Sequence, residues 1–112
     1  MDRRSNCPIA CSLDLLGDKW TLLVLRDILY FNKSRFEEFL ESPEKISTNI
    51  LTDRLHKLEK AGFITKAPYG THRLRMSYLA TEKGKSVIPL LLEIGKWGLA
   101  NIEDTSKVPK RA

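Results

Sequence analysis

The chain has 112 residues, 42% hydrophobic and 29% charged, with a net charge of +5. That balance specifies one domain able to bury a core and excludes a disordered chain; two cysteines, Cys7 and Cys11, exclude a disulfide-built scaffold. Apolar runs at residues 22–25 and 87–92 fall far short of the ~20 residues a membrane span needs, and the polar start Met1-Asp2-Arg3-Arg4-Ser5-Asn6 lacks the apolar stretch of a signal peptide, so a cytoplasmic protein with reduced thiols is expected.

In chain order, a first helix is predicted from Cys7-Pro8, because a proline at the first helical position gives up an N–H that would be unbonded there anyway. Ile9, Leu13 and Leu16 then form one apolar face. Gly17 stops this helix and Asp18 is placed to cap the next. That second helix, residues 19–31, is apolar nearly all round, which marks a central element covered on several sides.

Ser34-Arg35-Phe36-Glu37 fits a capping box opening a third, short helix, with Phe36, Phe39 and Leu40 inward. Residues 42–45 make a turn, and Ser47 caps a fourth helix in which Leu51, Leu55 and Leu58 repeat at helical spacing. Gly62 closes it. Outward lie Asn49, Asp53, His56 and Lys60, with Thr52 and Lys57 on the shoulders. A hairpin is expected next: residues 64–67, a tip at Pro68-Tyr69-Gly70, then residues 73–79. Alternation assigns Leu74, Met76 and Tyr78 to its packing face, and Arg73, Arg75 and Ser77 to the other. Thr81 caps a last helix reaching about Ile102. Pro89 would cost ~3 kcal/mol in a regular helix interior, so a kink or late start is expected there. The apolar residues of this helix cover too much of its circumference for packing on one side, which argues for a second subunit. Residues 104–112 read as a polar tail.

Helix, turn, capped helix and basic hairpin in this order make a mainly α fold with a small β wing, a winged helix-turn-helix whose second helix enters a DNA major groove. Charge follows the same boundary: residues 47–78 hold six Lys or Arg against two acids. Double-stranded DNA is therefore the expected partner. Asn49 and Thr52 are the best base readers, since asparagine bonds adenine bidentately and threonine meets the thymine methyl. Ser47 and Thr48 lie at the same helix start. His56 reaches a base or a phosphate. Asp53 either accepts from cytosine or simply pairs with Lys57 one turn on. Arg54, Lys57 and Lys60 are assigned to phosphates; Arg73 and Arg75 on the wing are assigned to phosphates or the minor groove, the plainer alternative being charges that block edge aggregation.

Cys7-Pro8-Ile9-Ala10, Leu13-Asp14, Gly17, Lys19-Trp20-Thr21 and Leu25-Arg26-Asp27 resemble the N-terminal signature of HxlR-type winged-helix transcriptional regulators, which are MarR-like. The resemblance continues through Arg35-Phe36-Glu37, Ile46-Ser47, Ile50-Leu51-Thr52-Asp53-Arg54-Leu55, Leu58-Glu59 and Gly62-Phe63-Ile64. It ends with Tyr78, Thr81-Glu82-Lys83-Gly84, Pro89-Leu90 and Trp97-Gly98. It implies a homodimer joined through the terminal helices, about residues 7–16 and 82–102 of a domain spanning 1–103, on a two-fold operator. It also implies a response to oxidants or electrophiles through the cysteine before the proline. Cys7 at a helix N-terminus faces free N–H groups that favour the thiolate; the plainer alternative is a small apolar cap. Two positions depart from the family pattern: Tyr78-Leu79-Ala80-Thr81 moves a large apolar residue to the neighbouring pleat of the wing, and Cys11 replaces a long polar residue.

Two other functions compete. A winged helix that binds protein or RNA would want an apolar or aromatic outer face on the fourth helix, which is polar and basic here. A thiol enzyme would need partners for Cys7 and Cys11, yet the only histidines, His56 and His72, belong to the DNA-reading segment. No catalytic, cofactor or metal constellation is expected.

Overall fold

The computed structural model describes residues 3–71 and 75–107. Its helices are α1 (Pro8–Leu16), α2 (Thr21–Tyr30), α3 (Phe36–Leu40), α4 (Thr48–Lys60), α5 (Glu82–Lys85) and α6 (Ile88–Asn101). Between α4 and α5 a two-stranded antiparallel hairpin pairs β1 (Ile64–Pro68) with β2 (Met76–Ala80), in the register Ile64 to Ala80 and Lys66 to Tyr78.

The second helix is central, as its composition dictates: Thr21, Val24, Leu25, Asp27, Ile28, Leu29 and Tyr30 are all buried. It begins two residues later than its apolar pattern suggests. Asp18 nevertheless caps it, its Oδ2 accepting from the N–H groups of Trp20 at 3.1 Å and Thr21 at 3.2 Å. Against α2 pack Phe39 from α3, Leu51, Leu55 and Leu58 from α4, Phe63 and Ile64 at the start of the wing, and Val87 before α6. Gly62, at φ +86°, takes the left-handed conformation that turns the chain from α4 into β1. Gly84 is needed for space: a Cβ there would lie 2.2 Å from the Phe63 carbonyl oxygen, so α5 could not approach β1.

Two local expectations are corrected. The capping box sits one residue later: α3 starts at Phe36, and Glu38 rather than Glu37 reaches back, its Oε1 accepting from the backbone N–H of Arg35 at 2.9 Å and of Ser34 at 3.0 Å. Ser34 does not cap with its hydroxyl; its carbonyl instead accepts from the Tyr78 N–H at 2.7 Å, adding a stub of a third strand beside β2. The last helix starts late, as Pro89 required. Thr81 caps α5 through Gly84, the chain turns at Ser86 and Val87, and Pro89 falls in the first turn of α6, where its missing N–H is harmless.

The two terminal helices are poorly covered. On α1 only Leu16 is buried, with Ile9, Leu13 and Leu15 exposed. No residue of α6 is buried, and Leu90, Leu92, Ile94, Trp97 and Leu99 are open. Among the described residues, no helix is long and apolar enough to cross a membrane.

Candidate nucleic-acid interface

The helix-turn-helix is built from α3, a turn and α4. Ile46, buried, anchors the turn from below. Lys45 takes a left-handed φ of +58° to redirect the chain. Ser47 then caps α4, its Oγ accepting from the Ile50 N–H at 3.2 Å. Because Leu51, Leu55 and Leu58 all face the core, the opposite side of α4 is forced outward. Ser47, Thr48, Asn49, Thr52, Asp53, His56, Lys57 and Lys60 are exposed there. The Thr52 hydroxyl donates to the Thr48 carbonyl at 2.8 Å, so a base edge meets its methyl or an oxygen lone pair rather than a free proton.

The wing lies against α3. Tyr78 packs edge-on against Phe39, with ring centroids 6.3 Å apart. At its outer end the Arg35 guanidinium stacks 4.1 Å from the Tyr69 ring, and Tyr69 donates to Glu37 at 3.4 Å. Phe36, Glu37, Tyr69, Arg75, Met76 and Tyr78 line an open cleft of about 350 Å³ between wing and helix. Arg75 is exposed, as its place on the outer pleat requires. Leu79 shares that pleat and is exposed too, so the apolar residue displaced from the family pattern lies more than half open to solvent. Arg73, His72 and Leu74 lie outside the described residues.

Arg54, assigned to a phosphate, is engaged by carboxylates within the chain. Arg54 is only partly exposed; its Nε donates to Asp18 Oδ2 at 2.7 Å, and its Nη1 pairs with Asp53. Asp53 also holds Lys57, at 3.2 Å, the ordinary surface pair its spacing suggested. Partial burial acts to raise the Asp18 carboxyl, but the Thr21 hydroxyl, Arg54 and the Trp20 N–H outweigh it and hold it at about 2. A hydrogen bond from Lys57 lowers Asp53 in the same sense.

A second polar cluster escaped sequence reasoning. Arg26 forks onto Glu44, with two hydrogen bonds of 2.8 Å, and onto Asp27 at 2.8 Å. Asp27 is buried and also accepts from the Ser42 hydroxyl, which in turn accepts from Lys33 Nζ at 2.8 Å. The cluster ties the end of α2 to the turn before α4. Its signal in sequence was the adjacent charges Arg26-Asp27 inside an otherwise apolar helix.

Cys7 and Cys11 are free thiols, Cys7 exposed and Cys11 half-buried. Cys7 is the N-cap residue of α1, yet its sulfur makes no capping hydrogen bond; its N–H donates to Ser5 Oγ at 3.2 Å, and the Cys11 thiol donates to the Ser5 carbonyl at 3.4 Å. Among the described residues no group of three or more His, Cys, Asp or Glu side chains is placed to hold a metal ion.

A short helix, a tight turn, a longer helix with an open polar face and a flanking two-stranded ribbon define a winged helix-turn-helix, the DNA-binding class of transcription regulators. Residues 15–106 match the HxlR-like helix-turn-helix family, and the chain belongs to it. An HTH-type transcriptional regulator of Methanothermobacter thermautotrophicus is 39% identical over 92 residues, which span 82% of this chain and 70% of that one. The crystal structure of the proposed transcription factor PA1607 superposes with a TM-score of 0.79 at 35% identity, covering 94% of this chain and 73% of that one. The redox regulator HypR in its reduced form gives 0.75 at 29% identity, covering 87% and 95%. The protein is thus a transcriptional regulator, and its relatives are regulators rather than enzymes.

Proposed function

We propose that the protein acts in the cytoplasm as a homodimer on a pseudo-palindromic duplex operator, with one α4 per protomer in each of two major grooves about one helical turn, ~34–36 Å, apart. The observation that carries this is the open polar face of α4, with Ser47, Thr48, Asn49, Thr52, Asp53, His56 and Lys57 exposed together beside the wing. Asn49 and Thr52 read base edges from the start of the helix. His56 meets a base or a phosphate. Lys57 and Lys60, with Arg73 and Arg75 on the wing, engage phosphates and supply affinity without sequence information. The uncovered apolar faces of α1 and α6 support the dimer, since patches of this kind mark interaction surfaces.

The effector is a small oxidant or electrophile acting on Cys7. Its exposure at the start of α1 favours this, as does similarity to a structure described as a redox regulator. Modification there displaces α1, and with it the spacing of the two reading heads.

Selection of bound sequences from random duplex, with and without diamide, tests both parts. A symmetric motif is expected without oxidant and weaker retention with it. Preferential binding of RNA or single strands, or selection of no motif, overturns the operator assignment. Cys7→Ser is expected to keep operator affinity and lose the diamide response; a response unchanged in that variant overturns the switch.

A further inference from the structure

Arg54 sits on the recognition helix with a cation that phosphates would attract, yet its guanidinium is already engaged on both sides. Asp18, in the connection between α1 and α2, takes its Nε at 2.7 Å, and Asp53 takes Nη1. Asp18 is itself fixed, because the same carboxylate caps α2 through Trp20 and Thr21. Asp53 is exposed on the α4 face that looks outward, and Lys57 holds its Oδ2 at 3.2 Å. A continuous polar path therefore runs from the rigid start of the central helix to a carboxylate on the reading face.

That carboxylate is a difficulty for DNA binding. A bare anion facing a polyphosphate is repelled, whereas one flanked by two cations can come close to a base edge and accept from a cytosine amine. Held by Asp18 rather than free to swing, Arg54 supplies one of those cations at a fixed position. We infer that Arg54 is a positioning residue for base reading, not a phosphate contact: anchored by Asp18, it neutralises and orients Asp53 toward the groove. This rests on the operator assignment above and deepens it.

The experiment uses the full chain with the selected operator and a random duplex of equal length, titrated over a range of salt. Arg54→Gln is expected to lower the ratio of operator to random affinity about tenfold, the discrimination of one lost base contact. Random-duplex affinity should change less than twofold, with the slope of log K against log salt unaltered. Asp18→Asn keeps an oxygen able to cap α2 and so keeps the fold; it is expected to lose discrimination in the same way. The double variant should discriminate no worse than the poorer single one, because both act through one pair. If Arg54→Gln weakens operator and random duplex equally and flattens the salt slope by about one unit, Arg54 is a phosphate contact and the inference fails. Additive losses in the double variant, or full discrimination in Asp18→Asn, overturn it as well. Should the unmodified protein select no motif at all, the operator assignment fails instead, so the two failures are distinguishable.

Discussion

Trp97 offers the sharpest quantitative test of assembly. It lies on α6 and is 63% exposed in the single chain. An aromatic side chain of its size presents roughly 200 Å², so roughly 130 Å² of it is open to water on each protomer. A two-fold interface counts that area twice, and covering half of the total removes about 130 Å² from water, which at ~25 cal/mol per Å² contributes about 3 kcal/mol. Trp97→Ala is therefore expected to raise the dimer dissociation constant roughly 200-fold. Because the indole buries little within its own chain, the folded protomer should survive the change. Sedimentation equilibrium over a dilution series reads the constant directly, and circular dichroism confirms the fold. Operator binding should then need higher protein concentration, while each protomer keeps its weak affinity for a half-site. A dissociation constant within twofold of the original would refute dimerisation through this face of α6.

Arg75→Ala is expected to weaken operator and random duplex alike and to reduce the salt slope by about one unit in a fluorescence anisotropy titration. Leu51→Ala, at a fully buried position, should lower unfolding free energy by about 2–5 kcal/mol in a urea titration, because truncating a packed core leucine leaves a cavity. Acid should also uncouple α4 from α2. The Asp18 carboxyl is held at about 2, below its ordinary 3.8, so its contribution is complete above pH ~4 and disappears as pH falls through ~2. The pair is partly solvated, which limits that contribution to about 1 kcal/mol. Asp18→Asn should therefore narrow the gap in stability between pH 5 and pH 2.5, as followed by thermal unfolding.

The parts of this fold legible in the sequence are those set by repeating patterns and local chemistry. The leucine spacing at 51, 55 and 58 fixed both the buried side of α4 and, by exclusion, its open side. Pro8, Ser47, Gly62, Thr81 and Pro89 each mark a boundary through one backbone group, so α1, α4 and the break before α6 lie where they were expected. Glu37 and Glu38 were harder to tell apart, because both follow a residue able to start a helix. What decided it was the bridge of Arg35 to Ser77, some forty residues away, with the Tyr78 N–H donating to the Ser34 carbonyl: it holds Arg35 extended, so the helix starts one residue later. The same limit applies to Arg54. Its position on the helix surface is periodic and readable, but its partner Asp18 is 36 residues distant, and no spacing rule relates them. The cluster of Arg26, Asp27, Ser42 and Glu44 is non-local in the same way.

The exposed apolar helices and the buried polar ties follow from one constraint of size. A chain of 112 residues buries proportionally little of its surface, and here α2 and α4 supply most of the core while α1 adds only Leu16 and α6 nothing. Such terminal helices gain stability mainly by covering one another across an interface, so in the proposed dimer their order depends on protomer concentration. An operator that binds both reading heads at once stabilises the dimer by the same linkage, and anything that loosens α1 weakens operator binding in return. The link must be mechanical as well as energetic, since α4 shares no residue with those helices. Asp18, two residues beyond the end of α1 and bonded to Arg54 of α4, is a direct polar connection between the two. A change at the start of the chain is therefore expected to reach the DNA through the orientation of the recognition helix as well as through the distance between its two copies.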